Sequence, residues 1–476
     1  MKELLVSSPL IILLILALGI IIFMLLFNFL GRSPKWAAIS EKIYLGILMF
    51  PITGATGVTI MPFNKINPIN LYNLNTTPPT IIGLLAFYIA GLILLSSRLR
   101  YTLKNFLNVI AVLITQDPFF CTFFLLMGLS GFWSQTPGYT FRTSIVVLIW
   151  SFYFIYIGKE FYWEQIYKIL RWLTLFTVVL SIYYATFQPS IGVHPAGWMG
   201  ILGHKNQFSF YMALSAVVWL LNAINNPKQR RWSIVVVILA FYALNKGGSG
   251  ASKVLTVVLF SLWGYLGFVK KLKPQWAFVS VLLFIIVSVC LSILITDNLE
   301  FIVVDTLNKD MTITGRTDFW PLVIDKINSE PLLGFGMNGF WQPWRGKEFD
   351  PGGSIIVAKT QFVPPHAHNG FLDLALDLGW LGLALYLFSF FSSIAKGVLY
   401  LGRSQGSEAG LPLLLLTYIV MTNLTETGLH GMTGHWMWFV IITTRVNMDA
   451  SVSSLSEHSR FQKPVYYEEG GVARAG

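Results

Sequence analysis

The sequence predicts an all-α polytopic membrane protein with about 12–13 transmembrane helices, on the usual length of a span, and one long loop outside the membrane. Three observations predict it. The chain is 55% apolar and only 12% charged, against roughly 25% charged in soluble domains. Apolar runs long enough to span recur along the whole sequence. Basic residues collect in every second connection between those runs, the signature of cytoplasmic loops.

Taken in order, the candidate spans are 9–30, 43–62, 80–97, 117–134, 141–158, 166–187, 207–224, 232–246, 253–269, 276–296, 371–396, 411–427 and 431–446. They divide the chain into five parts. Residues 1–40 carry an extra membrane helix. Its apolar run is too long for a signal-peptide core, and no small-x-small cleavage site follows. Residues 41–296 form the main helical block, with 104–116 suited to an interfacial helix leading into the next span. Residues 297–370 are the long loop, 371–447 are the last helices, and 448–476 are a Ser/Gly/Glu-rich tail that reads as disordered and cytoplasmic.

Arg32, Lys35 and Lys42 fall in one set of loops. So do Arg98, Arg100 and Lys104; Lys159, Lys168 and Arg171; Lys228, Arg230 and Arg231; Lys270, Lys271 and Lys273; and Lys396 and Arg403. This distribution accounts for the net charge of +11 without nucleic-acid binding. It places the alternate loops, 297–370 among them, outside the cytoplasm. The two cysteines, Cys121 and Cys290, both lie in apolar runs. They suit neither a structural disulfide nor a thiolate metal site.

The chemistry-bearing residues cluster in and around the long loop. Gly315-Arg316-Thr317-Asp318-Phe319-Trp320 places an arginine just before an amphipathic stretch at 318–328. A guanidinium suits phosphate and pyrophosphate because its fork donates in pairs; a solvated pair with Asp318 or Asp325 is the plainer alternative. In Pro331-Leu332-Leu333-Gly334-Phe335-Gly336-Met337-Asn338-Gly339, three glycines permit positive φ and close backbone approach to a ligand. His366-Ala367-His368-Asn369 closes the loop. Two histidines at a membrane boundary can supply a general base or neutral donors. Their i, i+2 spacing is not the i, i+4 pattern of a helical zinc site, and no metal is expected. Asp373 and Asp377 follow on one face of an apolar helix, where acids default to functional or cavity-facing roles.

Cations also stand at outer span ends: Arg142, Lys205 in Gly203-His204-Lys205-Asn206, and Lys246 and Lys253 flanking Gly247-Gly248-Ser249-Gly250-Ala251-Ser252. Positive-inside bias does not explain them. Their convergence on one outward cavity would suit a lipid-linked pyrophosphate; snorkelling of each at its helix end is the alternative.

These elements resemble the O-antigen ligase-like superfamily of bacterial membrane proteins. The resemblance rests on Gly315-Arg316-Thr317-x-x-Trp320, Pro331-Leu-x-Gly334-x-Gly336, and His368-Asn369-x-x-Leu372 followed by Gly379 and Gly382. Gly203-His204-Lys205-Asn206 and Ser249-x-x-Ser252-Lys253 extend it upstream. It spans about 200–447.

The resemblance implies a GT-C-like helical fold in the bacterial inner membrane. It also implies transfer of a glycan from undecaprenyl pyrophosphate to an acceptor hydroxyl on the periplasmic face, without cofactor, metal or nucleotide. Arg316 corresponds to the pyrophosphate-binding arginine and His368 to the histidine that activates the acceptor, with His366 its rival. Lys253 stands where ligases carry arginine, a form closer to exopolysaccharide polymerases. Lys205, Arg142, His366 and Asn369 complete the expected substrate contacts.

The implied partners are the lipid-linked donor, a glycan or lipid A-core acceptor, membrane lipids and a polysaccharide export system. The competing reading is a transporter component for a small anion such as bicarbonate, which some proteins with this domain have been proposed to support. Ionisable groups near mid-membrane in paired halves would distinguish it.

Overall fold

A computed structural model describes residues 17–18, 21, 24–26, 28–52, 99–307, 315–342, 350–356 and 363–461. Most of candidate span 9–30, part of 43–62, all of 80–97 and residues 462–476 of the tail lie outside the described residues.

The chain is all-α and polytopic. Its helices are α1 (Pro34–Ile52), α2 (Leu99–Gln116), α3 (Pro118–Leu129), α4 (Pro137–Glu160) and α5 (Trp163–Phe187). There follow α6 (Lys205–Asn225), α7 (Arg230–Gly247), α8 (Gly250–Val269), α9 (Pro274–Leu307) and α10 (Gly315–Ser329). The last three are α11 (Gly370–Arg403), α12 (Leu411–Asn423) and α13 (Gly434–Phe461). Between α5 and α6, Val193–His194 pairs with Gly197–Trp198 as a small antiparallel hairpin.

Six described helices are long and apolar enough to cross a membrane: α4, α5, α6, α8, α9 through Leu294, and α11. A seventh span results if the pair Asn105–Gln116 and Pro118–Phe132, bent by 109°, is counted as one. The bend has a local cause. Pro118 cannot continue α2, and the buried Asp117 caps α3 by accepting the Phe120 N–H at 3.0 Å. Residues 104–116, expected as an interfacial helix, are helical and meet α3 at this bend.

Two helices form the centre. All of α12 is buried, and so is most of α6. A helix apolar all round has no face for solvent or lipid and belongs inside a bundle. At about 20 Å for its 13 residues, α12 is shorter than a full span. On the outside, Trp172, Phe176 and Phe187 of α5 and Ile286 and Leu294 of α9 are exposed, as a lipid-facing surface requires.

Several sequence boundaries move, and the final helix continues to Phe461, into the first part of the 448–476 tail expected to be disordered. The α9 helix runs on to Leu307 rather than ending at 296, α12 stops at Asn423, and the final helix starts at Gly434. The α11 helix is broken at Gly379, whose backbone is left-handed in φ (67°) with ψ −176°. Apolar periodicity carries no mark of that break.

The long loop is partly structured. Phe319, Val323 and Ile327, at i, i+4 and i+8 on α10, are buried with Phe335, Phe340 and Ile355. Ala367, Ala375 and Leu376 complete this small second core beside the membrane bundle.

Candidate functional site

The break in α11 builds the floor of the site. Residues Pro331–Gly336 fill it with backbone hydrogen bonds. Phe335 N donates to Leu376 O at 2.9 Å and Gly336 N to Asp377 O at 2.8 Å. In return, Trp380 N donates to Pro331 O at 2.8 Å and Leu381 N to Leu332 O at 3.3 Å. The loop thus satisfies groups that a broken helix leaves orphaned inside an apolar region. A Cβ on Gly379 would meet Leu332 O at 2.2 Å, and one on Gly334 would meet Leu376 O at 2.4 Å. Positive φ and close approach are both present at Gly334, as the sequence suggests. The backbone approached is that of α11, however, and not a ligand.

Two buried carboxylates clamp three loops onto this floor. Asp373 Oδ1 accepts from Ala367 N at 2.9 Å and from Trp341 Nε1 at 2.6 Å, while Oδ2 accepts from the Thr427 hydroxyl. One turn on, Asp377 Oδ2 accepts from Asn338 N and from His430 Nε2, both at 2.8 Å. Both acids do point inward. They are engaged in tying the His366–Asn369 loop, the 331–342 loop and the α12–α13 connection together.

The α10 helix adds a further tie, since Trp320 Nε1 donates to Ala367 O at 2.9 Å. From α4, the Thr143 hydroxyl donates to Met337 O at 3.3 Å. From the turn before it, Trp133 Nε1 donates to Leu333 O at 3.0 Å.

Held this way, the histidine loop takes a specific shape. His368 has φ +50°, which is unusual for a residue with a Cβ. Asn369 Oδ1 caps α11 by accepting from Phe371 N at 3.0 Å and Leu372 N at 3.3 Å. The two imidazole centroids lie 4.0 Å apart. The His368 backbone N–H donates to His366 Nδ1 at 3.1 Å. An Nδ1 that accepts leaves the neutral ring's proton on Nε2, so His366 presents a donor there.

One residue that motif reading passed over, Glu426, completes the cluster. One ring nitrogen of His366, one of His368 and one carboxylate oxygen of Glu426 all lie within 4.8 Å of one another. Glu426 is 4% exposed, and Asn206 Nδ2 donates to its Oε1 at 2.7 Å. Among the described residues these three side chains have the spacing a single cation could bridge. The Nδ1 lone pair of His366 is already engaged, which sets this geometry apart from an open ligand set. The only sequence signal for the approach was the Gly203–Asn206 motif, which α6 brings to this loop.

The cations are placed less uniformly. Lys205 opens α6 next to Asn206, and Arg142 precedes Thr143 in α4. Lys246 lies over the Tyr242 ring, 5.7 Å from its centroid. Lys253 stands at one end of a groove of about 620 Å³ between α8 and α9, lined by Val257, Tyr265, Phe284, Val287 and Leu291. Arg316 is in the first turn of α10, four residues before Trp320; its side chain, and Trp344 and Arg345, lie outside the described residues. The contacts of the described residues do not join the five cations at one cavity.

Residues 234–387 match the O-antigen ligase family. That segment runs from α7 through the break in α11 and holds Lys246, Lys253, Arg316, His366 and His368. The chain is also similar to the exopolysaccharide production protein ExoQ of Rhizobium meliloti (strain 1021). The two are 23% identical over 314 residues, 64% of this chain and 68% of that protein.

Proposed function

We propose that this O-antigen ligase-domain protein is a glycosyltransferase of surface-polysaccharide synthesis. In this reading it moves a glycan from undecaprenyl pyrophosphate to an acceptor hydroxyl at the periplasmic face of the bacterial inner membrane. Chain polymerisation, as in exopolysaccharide synthesis, is the favoured form, in keeping with Lys253 and the likeness to an exopolysaccharide production protein. The observation that carries the reading is the histidine pair, locked by buried clamps at one end of the bundle.

Each part has a chemical task. Anomeric C1 loses its bond to the pyrophosphate oxygen, and the electron pair leaves with that oxygen. Arg316 and Lys253 meet the growing negative charge, the kind of preorganised stabilisation that is often the largest catalytic term. The groove running inward from Lys253 takes the first part of the polyprenyl chain; residues 253–265 alone cover about 18 Å along α8. The acceptor oxygen bonds to C1 and gives its proton to His368. With its proton on Nε2, His366 serves as donor to substrate or leaving group, which makes His368 the base. Lys205 and Arg142 border the approach, and Asn369 fixes the loop as the cap of α11.

The opposing reading, anion transport, called for ionisable groups near mid-membrane in paired halves. Asp373 and Asp377 are instead engaged in loop clamps at one end, which weighs against it.

The test is turnover. Protein in liposomes, given undecaprenyl-pyrophosphate-linked repeat units, should release undecaprenyl pyrophosphate and lengthen the glycan. A donor that stays intact while the correctly folded protein is present would overturn the proposal.

A further inference from the structure

The stretch 165–296, from α5 into α9, contains no acidic residue. Several of its cations meet at the end of the bundle away from the histidine loop. Arg171 stands on α5, Lys228 in the α6–α7 turn, and Arg230 and Arg231 in the first turn of α7. Along α6 this end, marked by Asn222, is about 24 Å from Asn206. We infer that these four residues bind the phosphate of an anionic phospholipid headgroup, independently of the glycosyltransferase reading.

Hydrogen bonds join the two elements. Arg171 donates from Nη1 to Asn222 Oδ1 near the end of α6, and to Gln229 Oε1 at 2.9 Å. Gln229 is the N-cap of α7 and lies between Lys228 and Arg230 in sequence. The guanidinium carbon sits 5.1 Å from the Tyr167 ring centroid and 5.8 Å from that of Trp219. All four of these neighbours are uncharged. Among the described residues both hydrogen bonds of Arg171 leave from Nη1, and Nε is buried without an acceptor. Nη2 is left for an incoming oxygen, and a guanidinium suits phosphate better than a point charge does. Arg230 is fixed in the same place, its Nε donating to Ala223 O at 3.1 Å.

The charge here is not met from within the described residues. The first turn of α7 has two arginines, no acid and no side-chain cap. A helix start is the positive pole of the macrodipole, where added cations are unfavourable and an anion is favourable. The acids of this end are engaged elsewhere. Glu164 pairs with Lys168 at 2.6 Å, Glu160 with Lys159, and Asp449 with Arg445. Glu408, in the α11–α12 connection, acts on Tyr167 but forms no ion pair with Arg171.

Two indoles point to a lipid rather than a soluble anion. Trp172 follows Arg171 and Trp232 follows Arg231, and both are exposed. Exposed tryptophan beside a cation marks the headgroup level of a membrane. A cluster of lysine and arginine at that level attracts anionic lipid.

The experiment titrates full-length protein in detergent with phosphatidylglycerol or phosphatidylcholine and counts retained lipid by native mass spectrometry. Wild type should hold phosphatidylglycerol more tightly. The double variant Lys228→Gln/Arg231→Gln changes only exposed side chains and should weaken that binding roughly 30-fold, the effect of two cations at an anionic surface. Lys271→Gln/Lys273→Gln removes the same charge from exposed positions in another loop and should leave binding unchanged. Arg171→Lys keeps the charge but loses the planar fork, and should weaken binding by less than the first pair does. Equal weakening by the two double variants would overturn the inference, because the attraction would then belong to the general charge of the face. Equal retention of the two lipids, or wild-type binding in Arg171→Lys, would overturn it too. So would displacement of phosphatidylglycerol by millimolar inorganic phosphate, which would make this a site for a soluble anion.

Discussion

The two ends of the helix bundle differ in what their charges hold: helices at one, where carboxylates serve beside cations (Asp449 accepts from Trp163 Nε1 at 2.9 Å), and loops at the other. At the end holding the predicted cytoplasmic loops, cations fasten helices to one another. Arg445 donates to Lys159 O at 3.2 Å and to Asp449. Arg171 donates to Asn222 and to Gln229, Lys270 to Ser404 O at 2.6 Å, and Lys396 to Gln116 O at 2.8 Å. At the other end the fastening is done by carboxylates, Asp373 and Asp377, and what they hold is loops. A positively charged side chain that binds a backbone carbonyl across helices closes a bundle. A buried carboxylate that gathers N–H and O–H donors from neighbouring loops builds a cradle.

The largest effect is expected at Asp373. Replacing it with alanine removes the acceptor shared by Ala367, Trp341 and Thr427. Hydrogen bonds to charged groups contribute about 1.5–3 kcal/mol each, and they are coupled here, so a loss of about 3 kcal/mol is expected. Transferase activity should vanish with it. Unfolding in detergent and the liposome assay check both; wild-type stability would mean the carboxylate is not the clamp.

A smaller effect is expected at the opposite end. Arg445→Ala should cost about 1–2 kcal/mol for its lost hydrogen bonds, with turnover per folded molecule unchanged. Turnover falling in proportion would show that the two ends are coupled and blur the distinction drawn between them.

Much of the fold was legible because membrane burial writes itself into composition. Apolar runs marked the spans, and basic loops marked one end. The 3.6-residue pattern of Phe319, Val323 and Ile327 marked α10. His366 and His368 were legible as a motif because they are two residues apart.

What was missed depends on contacts across the chain. Glu426 meets Asn206 at a separation of 220 residues, and nothing local distinguishes it from an acid at a helix end. The break at Gly379 hides inside an apolar run, and its cause is a loop more than 40 residues upstream in sequence. The loop glycines were read toward a ligand because sequence shows that a backbone can come close, but not to what. Asp373 and Asp377 were correctly placed on one face, yet their partners lie on three other segments.

In the proposed scheme His368 takes the acceptor's proton while His366 acts as a donor. Turnover of the lipid-linked repeat by His368→Ala and His366→Ala, measured side by side in liposomes, tests it most directly. His368→Ala should lose about 10²–10⁴-fold, the range of a positioned general base, with donor binding retained, and His366→Ala should lose less. Wild-type turnover in His368→Ala, or a larger loss in His366→Ala, would contradict the account.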